Sequence, residues 1–278
     1  MKKIFLFILC FSFGLSCTTD KTSLTSTSQF YTDSLFSKHL NEYRKHNIYL
    51  PKGIDKSKKY PIIYQTDGNE IKENNFIKKT LDSLIDAKLI SPIIVVESHS
   101  NSKIADSTSM KMGNGDKIYL QYRNFEYIND HADLSEFKSL KNRFENHMSY
   151  FKDELIPRIE KEFNQTLAKD DRYFFGVSNG AGFGMELLNR HPNLIGTYLC
   201  FSDFGGGVNQ NLWNDSIIYP NLHYIYGKDE PLFLDKSANK LREIYKNSTS
   251  TLDIIVFEGG HDYTFWNTYY IQKLKKLF

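Results

Sequence analysis

The chain has 278 residues, enough for one large α/β domain or two small ones with a sizeable core. Its content of 40% hydrophobic and 24% charged residues is ordinary for a globular protein. Its formal net charge is +2, from 35 basic and 33 acidic residues. No basic cluster stands out, which argues against a nucleic-acid-binding protein, because such proteins need a concentrated basic face to meet phosphates.

The first residues have the pattern of a bacterial export signal. Two lysines follow the initiating methionine, residues 4–13 are largely apolar, and Cys17 comes after a short stretch of Gly, Leu and Ser. We predict a lipoprotein-type signal peptide over residues 1–16 and lipidation of Cys17, with Leu15 one place closer to the cysteine than is usual. The expected product is a membrane-anchored lipoprotein of the periplasm or outer membrane, with soluble secretion as the alternative.

Residues 17–30 are rich in Ser and Thr and have no periodicity, which is typical of a tether, so the folded domain is predicted over residues 31–278. Once Cys10 is removed with the signal and Cys17 is acylated, Cys200 is the one remaining cysteine. A disulfide framework is therefore excluded.

Short apolar runs alternate with helical patterns along the domain, which is typical of βαβ units and a mainly parallel sheet. Strands are predicted at 47–50, 60–65, 93–97, 172–175, 195–201, 223–226 and 253–257. Helices are predicted at 75–88, 145–163, 179–190, 236–245 and 263–277, and Pro157 should kink the second helix or begin a new segment. Residues 99–144 have weak periodicity and are predicted to form a long irregular insertion near the active site.

A G-x-S-x-G motif lies at residues 176–180, between a predicted strand and a predicted helix. This context favours a tight strand-to-helix turn that presents Ser178 as a nucleophile. Gly176 and Gly180 would avoid side-chain clashes in such a turn. The helix N-terminus and the amide of Asn179 would then stabilise an oxyanion. A simple glycine-rich turn between strand and helix is the alternative.

A serine needs a histidine base that is oriented by a carboxylate. In α/β-hydrolases the acid and then the histidine follow the serine along the chain. His261 lies just after the last predicted strand, where the base of this fold belongs, so we prefer it to His191 and His223. The acid should follow the strand at 223–226, where Asp229 is the better candidate and Glu230 the reserve.

A second oxyanion donor should come from the loop after the strand at 60–65, and we place it at the backbone of Asp67 or Gly68 within residues 66–69. No metal is expected, because the sequence has neither an H-E-x-x-H motif nor a cysteine pair at ligand spacing. No cofactor is predicted.

Several segments together resemble the esterase-D-like or enterochelin-esterase-like branch of the α/β-hydrolases, which also holds feruloyl and acetyl-xylan esterases. They are residues 47–51, 60–64 with Asp67-Gly68, 153–157, 176–182, 227–229 and 259–262 with Trp266. The resemblance implies an α/β-hydrolase fold with a mostly parallel central sheet and helices on both faces, and a triad of Ser178, Asp229 and His261. It also implies that Arg123 lies beside the substrate, although a surface ion pair explains that arginine equally well. The chain departs from the family at Asn179-Gly180-Ala181 and at Gln65-Thr66, which could alter the shape of the pocket.

The sequence thus predicts a serine hydrolase that cleaves a carboxylic ester. Siderophore lactones, feruloylated or acetylated polysaccharides and simple acyl esters are all compatible, because specificity lies in the loops. The alternatives are an acyltransferase of the same fold, which passes the acyl group to a sugar, and a non-catalytic lipoprotein that binds a siderophore or a glycan. The predicted partners are the ester substrate and, through the lipid on Cys17, the membrane.

Overall fold

The structure is a computed structural model that describes residues 26–73, 75–105, 110–111, 117–129 and 140–278. The predicted signal peptide, the predicted lipidation site Cys17 and most of the predicted tether lie outside these residues. No helix in this described part of the chain is long and apolar enough to cross a bilayer.

A central eight-stranded sheet and a two-stranded hairpin are formed by the strands of the described chain. The hairpin consists of β5 (Met110–Lys111) and β6 (Lys117–Ile118). The strands of the central sheet are β1 (Gln29–Ser37), β2 (Glu42–Leu50), β3 (Ile62–Gly68), β4 (Ile94–His99), β7 (Arg172–Val177), β8 (Thr197–Phe201), β9 (Asn221–Gly227) and β10 (Leu252–Phe257).

The order across the central sheet is β1-β2-β4-β3-β7-β8-β9-β10. The first two pairings, β1 with β2 and β2 with β4, are antiparallel. All the others, from β4 to β10, are parallel. Since parallel strands end at the same edge of a sheet, the loops after β3, β7 and β10 meet there, as ligand-binding loops do in open α/β sheets.

Seven α-helices lie within the described residues. They are α1 (Phe76–Asp86), α2 (Tyr122–Tyr127), α3 (Arg143–Ser149), α4 (Ile156–Glu162), α5 (Asn179–Arg190), α6 (Phe233–Tyr245) and α7 (Tyr263–Leu277). A π-helical segment, Tyr150–Leu155, joins α3 to α4, and Pro157 stands in the first turn of α4. The helical backbone continues from α3 through the π-helical segment into α4, and the change to α-helix falls at Ile156, next to the proline where a kink or a new segment was predicted.

Two hydrophobic clusters cover the two faces of the sheet. Helices α1 and α7 pack on one face through residues such as Leu81 and Leu274. Helices α3 to α6 pack on the other face through residues such as Phe183 and Leu241. All five residues of β8 are buried, as expected of a parallel strand that is covered on both faces.

This architecture confirms the predicted mostly parallel α/β sheet with helices on both faces. Each predicted strand is present with shifted ends, but β1 and the first half of β2 were missed. β1 begins at Gln29, inside the segment predicted as a tether, and its residues alternate between more and less exposed positions. The predicted irregular insertion at 99–144 is more regular than expected, because it contains β5, β6 and α2.

Candidate active site

Ser178 occupies a sharp turn between β7 and α5. Its φ of 55° and ψ of −128° are unusual for a residue with a side chain, and such strain is characteristic of a functional turn. The Ser178 amide donates to the carbonyl of Phe201, at 2.9 Å, which ties the turn to the end of β8. The hydroxyl is therefore presented at the carboxyl edge of the sheet.

Neither glycine of the motif has room for a side chain, because other atoms of the protein lie close to its Cα atom. A Cβ atom on Gly176 would lie 2.5 Å from the carbonyl oxygen of Gly180. A Cβ atom on Gly180 would lie 2.2 Å from Thr66 Oγ1, at the end of β3. The glycines thus let the turn close on itself and let the loop after β3 approach the start of α5.

His261 lies beside Ser178, as the order along the chain suggested. Its Nε2 atom is 3.0 Å from Ser178 Oγ, and its Nδ1 atom is 2.8 Å from Glu230 Oε2. The imidazole, on the loop between β10 and α7, therefore stands between the hydroxyl and a carboxylate. These distances allow hydrogen bonds on both sides of the ring.

The carboxylate in contact with His261 belongs to Glu230, the reserve candidate, and not to Asp229. The segment after β9 turns tightly, because the Glu230 amide donates to the carbonyl of Gly227 at 3.1 Å. This turn leaves Asp229 exposed and buries Glu230, whose side chain is 1% accessible. The structure thus brings Ser178, His261 and Glu230 together and leaves Asp229 outside the group.

Glu230 is held in its ionised form by its hydrogen bonds. Burial alone would raise the pKa of this carboxyl, but donors from His261, Ser202 and the Gly227 amide outweigh it and lower the pKa below its usual value. The Gly227 amide lies 2.8 Å and Ser202 Oγ lies 2.6 Å from Glu230 Oε1. One carboxylate oxygen is therefore fixed by the protein, and the other is left for His261.

Two aromatic rings pack against the imidazole of His261. The rings of Trp266 and Phe204 meet it edge to face, with centroids 4.6 Å and 4.8 Å away. The indole Nε1 of Trp266 also donates to Ser202 Oγ at 2.8 Å, and Ser202 Oγ donates to Glu230. Trp266 thus supports both the base and, through Ser202, the carboxylate. Ser202, whose φ is a left-handed 52°, was not singled out in the sequence, because no motif marks it.

The predicted oxyanion hole lies where α5 begins and β3 ends. Asn179 is the first residue of α5, so its amide has no acceptor within the helix. The Asp67 amide lies 3.4 Å from the phenol oxygen of Tyr127, which makes a long hydrogen bond. Gly68 pairs with His99 at the end of β3, and a Cβ atom there would lie 2.6 Å from the carbonyl oxygen of Glu97.

Arg123, on α2, reaches this same edge, where its guanidinium donates hydrogen bonds to other side chains of the protein. Its Nε and Nη2 bind the two carboxylate oxygens of Asp67, at 2.5 and 2.8 Å. Its Nη1 donates to Asn179 Oδ1 at 2.9 Å, and its guanidinium lies over the ring of Tyr127. The side chain is only 21% accessible, so this ion pair is not a surface one. Arg123 therefore joins the two segments of the predicted oxyanion hole.

Two cavities flank the group. One, of about 310 Å³, is lined by Thr66, Gly176 and Trp266 among others. The other, of about 380 Å³, is lined by the buried carboxyls of Asp203 and Glu186 and by Phe233, whose ring packs against Phe204. No cluster of three or more metal-ligating side chains occurs within the described residues.

A family model described as "Putative esterase" matches residues 37–230, which is more than half of the chain. The chain belongs to this esterase family. It is accordingly a carboxylic ester hydrolase of the α/β-hydrolase fold, as the resemblance implied.

Individual relatives are distant. The uncharacterized protein YjcH of Bacillus subtilis (strain 168) is 23% identical over 256 residues, covering 87% of this chain and 94% of that protein. A ferulic acid esterase superposes with a TM-score of 0.68 at 21% identity, covering 91% of this chain and 98% of that one. An IroE-like serine hydrolase from Shewanella oneidensis superposes with a TM-score of 0.60 at 16% identity, covering 90% and 80%. The BES protein from Bacillus cereus superposes with a TM-score of 0.62 at 18% sequence identity, covering 91% of this chain and 95% of that one. These structural likenesses concern the fold.

Proposed function

We propose that this esterase cleaves its substrate by acyl transfer through Ser178, with His261 as the general base and Glu230 as the acid that orients it. One observation carries the proposal: the uninterrupted series of contacts from Ser178 Oγ to the His261 ring and on to Glu230. A chance encounter of these groups would not also explain the strained turn at Ser178.

The roles follow from the orientation of the imidazole. Glu230 accepts a hydrogen bond from Nδ1–H, so Nε2 of the neutral ring carries a lone pair directed at Ser178. As Ser178 Oγ attacks the ester carbonyl, Nε2 takes its proton, and the resulting imidazolium is stabilised by the Glu230 carboxylate. The same Nε2 then protonates the leaving alcohol and activates a water molecule, which releases the acid from Ser178.

The oxyanion is assigned to two backbone amides. The Asn179 amide is free of helical acceptors, and the macrodipole of the twelve-residue helix α5 adds positive potential at this end. The second donor is placed at Asp67 or Gly68, and the long bond from the Asp67 amide to Tyr127 is one that an oxyanion could replace. Arg123 acts as a positioning residue here, because it binds both Asp67 and Asn179.

Several classes of ester are candidates for the substrate of this reaction. Relatives of this fold include a ferulic acid esterase and an IroE-like serine hydrolase, so aromatic acyl esters on polysaccharides and lactones of siderophores are the first compounds to test. Export and anchoring through Cys17 would give the enzyme access to such substrates in the cell envelope.

Hydrolysis of a p-nitrophenyl ester series by the wild type and by Ser178→Ala tests the mechanism. We expect turnover in the wild type and a loss of at least about 10³-fold in the variant with its melting temperature unchanged, because the nucleophile is removed and the fold is not. Undiminished turnover in Ser178→Ala would refute the assignment. Adding an acceptor sugar to the wild-type reaction and analysing the products separates hydrolysis from acyl transfer.

A further inference from the structure

The 310 Å³ cavity is built from the same segments as the candidate active site. Gly176 and Val177, on its wall, directly precede Ser178. Thr66, on the opposite wall, contacts Gly180, and Trp266 packs against the His261 ring. The cavity is therefore adjacent to the candidate active site, within reach of a group attached to an ester bound at Ser178.

A buried carboxyl, Glu97, lies in this cavity and has no positive partner. The residue is 7% accessible, and no Lys, Arg or His of the described chain forms an ion pair with it. Within the described residues, its oxygens accept from two side-chain amides, Gln65 at 2.6 Å and Asn47 at 3.0 Å. A carboxylate has about four lone-pair sites, so acceptor capacity is left over.

The amides around Glu97 are themselves held in place. Asn47 accepts from Thr32 at 2.7 Å and contacts His99 Nε2 at 2.8 Å, while Gln65 accepts from Tyr270 at 3.4 Å. Burial raises the pKa of Glu97, and the two amides offset part of that effect. A further hydrogen-bond donor would stabilise the carboxylate, and a cation would do so most.

The rest of the lining selects against anions. Among the described residues that line it, Glu70 adds a second carboxylate, Asp67 is paired with Arg123, and none is a Lys or Arg. Four aromatic rings also face it, from Phe76, Phe175, Tyr263 and Trp266. Aromatic faces carry partial negative charge, so they attract cations and flat apolar groups and do not attract anions.

We propose that this cavity is a substrate subsite whose carboxyl, Glu97, accepts a hydrogen bond from a donor group on the substrate, with an ammonium preferred to a hydroxyl and a carboxylate rejected. The substrate class is thus an ester in which an apolar or aromatic part carries a donor. This inference rests on the proposed function in assigning the cavity to the ester substrate. The pairing of Gln65 with Glu97 explains the departure of Gln65-Thr66 from the family pattern, because Gln65 holds the Glu97 carboxylate.

Small ring compounds test the subsite whichever half of the ester enters it. Benzylamine, benzyl alcohol, toluene and benzoate are compared as competitive inhibitors of p-nitrophenyl acetate hydrolysis. We expect benzylamine to bind about ten-fold more tightly than toluene, benzyl alcohol to lie between them, and benzoate to bind most weakly. Equal inhibition by all four, or the strongest inhibition by benzoate, would overturn the proposal.

Matched variants locate the acceptor. Glu97→Gln should reduce the advantage of benzylamine over toluene to less than about two-fold, because the negative charge is removed and the shape is kept. Glu73→Gln, at an exposed position outside the cavity, should keep the full advantage. A loss of the advantage in Glu70→Gln and not in Glu97→Gln would refute Glu97 as the acceptor.

Two further measurements keep the test decisive. If Glu97→Gln does not fold, a crystal structure of the wild type with benzylamine decides the question. The proposal is supported if the benzylamine nitrogen lies within hydrogen-bonding distance of the Glu97 carboxylate. It is overturned if benzylamine binds elsewhere. If the protein hydrolyses no ester, titration calorimetry of benzylamine against the wild type and the Glu97 and Glu73 variants gives the same comparison, so failure of the subsite and failure of the mechanism remain distinct.

Discussion

Replacement of Glu230 by Gln should abolish most of the activity while leaving the shape of the site intact. Glu230 Oε1 accepts from both Ser202 and the Gly227 amide, so the carbonyl oxygen of a glutamine must stay on that side. Its NH₂ group then faces His261 Nδ1, which has to act as an acceptor. The ring proton is consequently held on Nε2, where it prevents His261 from taking the proton of Ser178.

The expected loss can be given a magnitude. An amide in place of the triad acid lowers kcat by about 10⁴ in a serine protease. Here His261 is 39% accessible, so water can partly rescue the correct tautomer, and we expect a loss of about 10³ to 10⁴. This corresponds to a loss of about 4–5.5 kcal/mol of transition-state stabilisation.

The assay is steady-state hydrolysis of a p-nitrophenyl ester, with circular dichroism to confirm folding. Asp229→Asn is the matched control, because Asp229 is the exposed neighbour in the same turn, and its kcat should stay within about two-fold of the wild type. An active Glu230→Gln together with an inactive Asp229→Asn would show that the reasoning from the turn is wrong.

Three further predictions follow from contacts around the site. Gly180→Ala should lower kcat/KM by about 10²-fold, because the new Cβ atom would lie 2.2 Å from Thr66 Oγ1 and displace the loop after β3; kinetics identical to the wild type would contradict this. Arg123→Lys should lower kcat by about ten-fold with little change in KM, because lysine cannot bind both oxygens of Asp67; a rise in KM alone would instead indicate direct contact with the substrate. Burial, with a smaller effect from the Glu186 charge, raises the pKa of Asp203 from 3.8 to about 7, so its ionised form destabilises the fold increasingly as the pH rises from 4 to 7. Asp203→Asn should therefore raise the free energy of unfolding by up to about 4 kcal/mol at pH 8 and by much less at pH 4.5; urea unfolding checks this, and an equal effect at both pH values would refute it.

The sequence predicted those parts of the fold that depend on local patterns. The strand, motif and helix around Ser178 form one contiguous signal, and α5 has the predicted bounds of residues 179–190. β1 was missed because it is an edge strand, half exposed, whose Ser and Thr residues continue the composition of the preceding segment. Its pairing with β2 is a non-local property that no local pattern reveals.

The candidate site was predictable to within one residue for the same reason. Chain order and the position after a strand single out His261, and the structure places it beside Ser178. The choice between Asp229 and Glu230 depends on which way each side chain leaves a tight turn, and adjacent residues point in different directions. Ser202 and Glu97 lie in strands or at their ends as ordinary polar residues, so only their contacts in three dimensions mark them.

Covalent labelling with a fluorophosphonate ester, followed by intact-mass and peptide mass spectrometry, tests whether Ser178 is the activated nucleophile. We expect a single adduct on Ser178 in the wild type and none in Ser178→Ala. Labelling of Glu230→Gln should be much slower, because phosphonylation also needs the activated hydroxyl. An adduct at another residue, or an active enzyme that remains unlabelled at Ser178, would contradict this assignment.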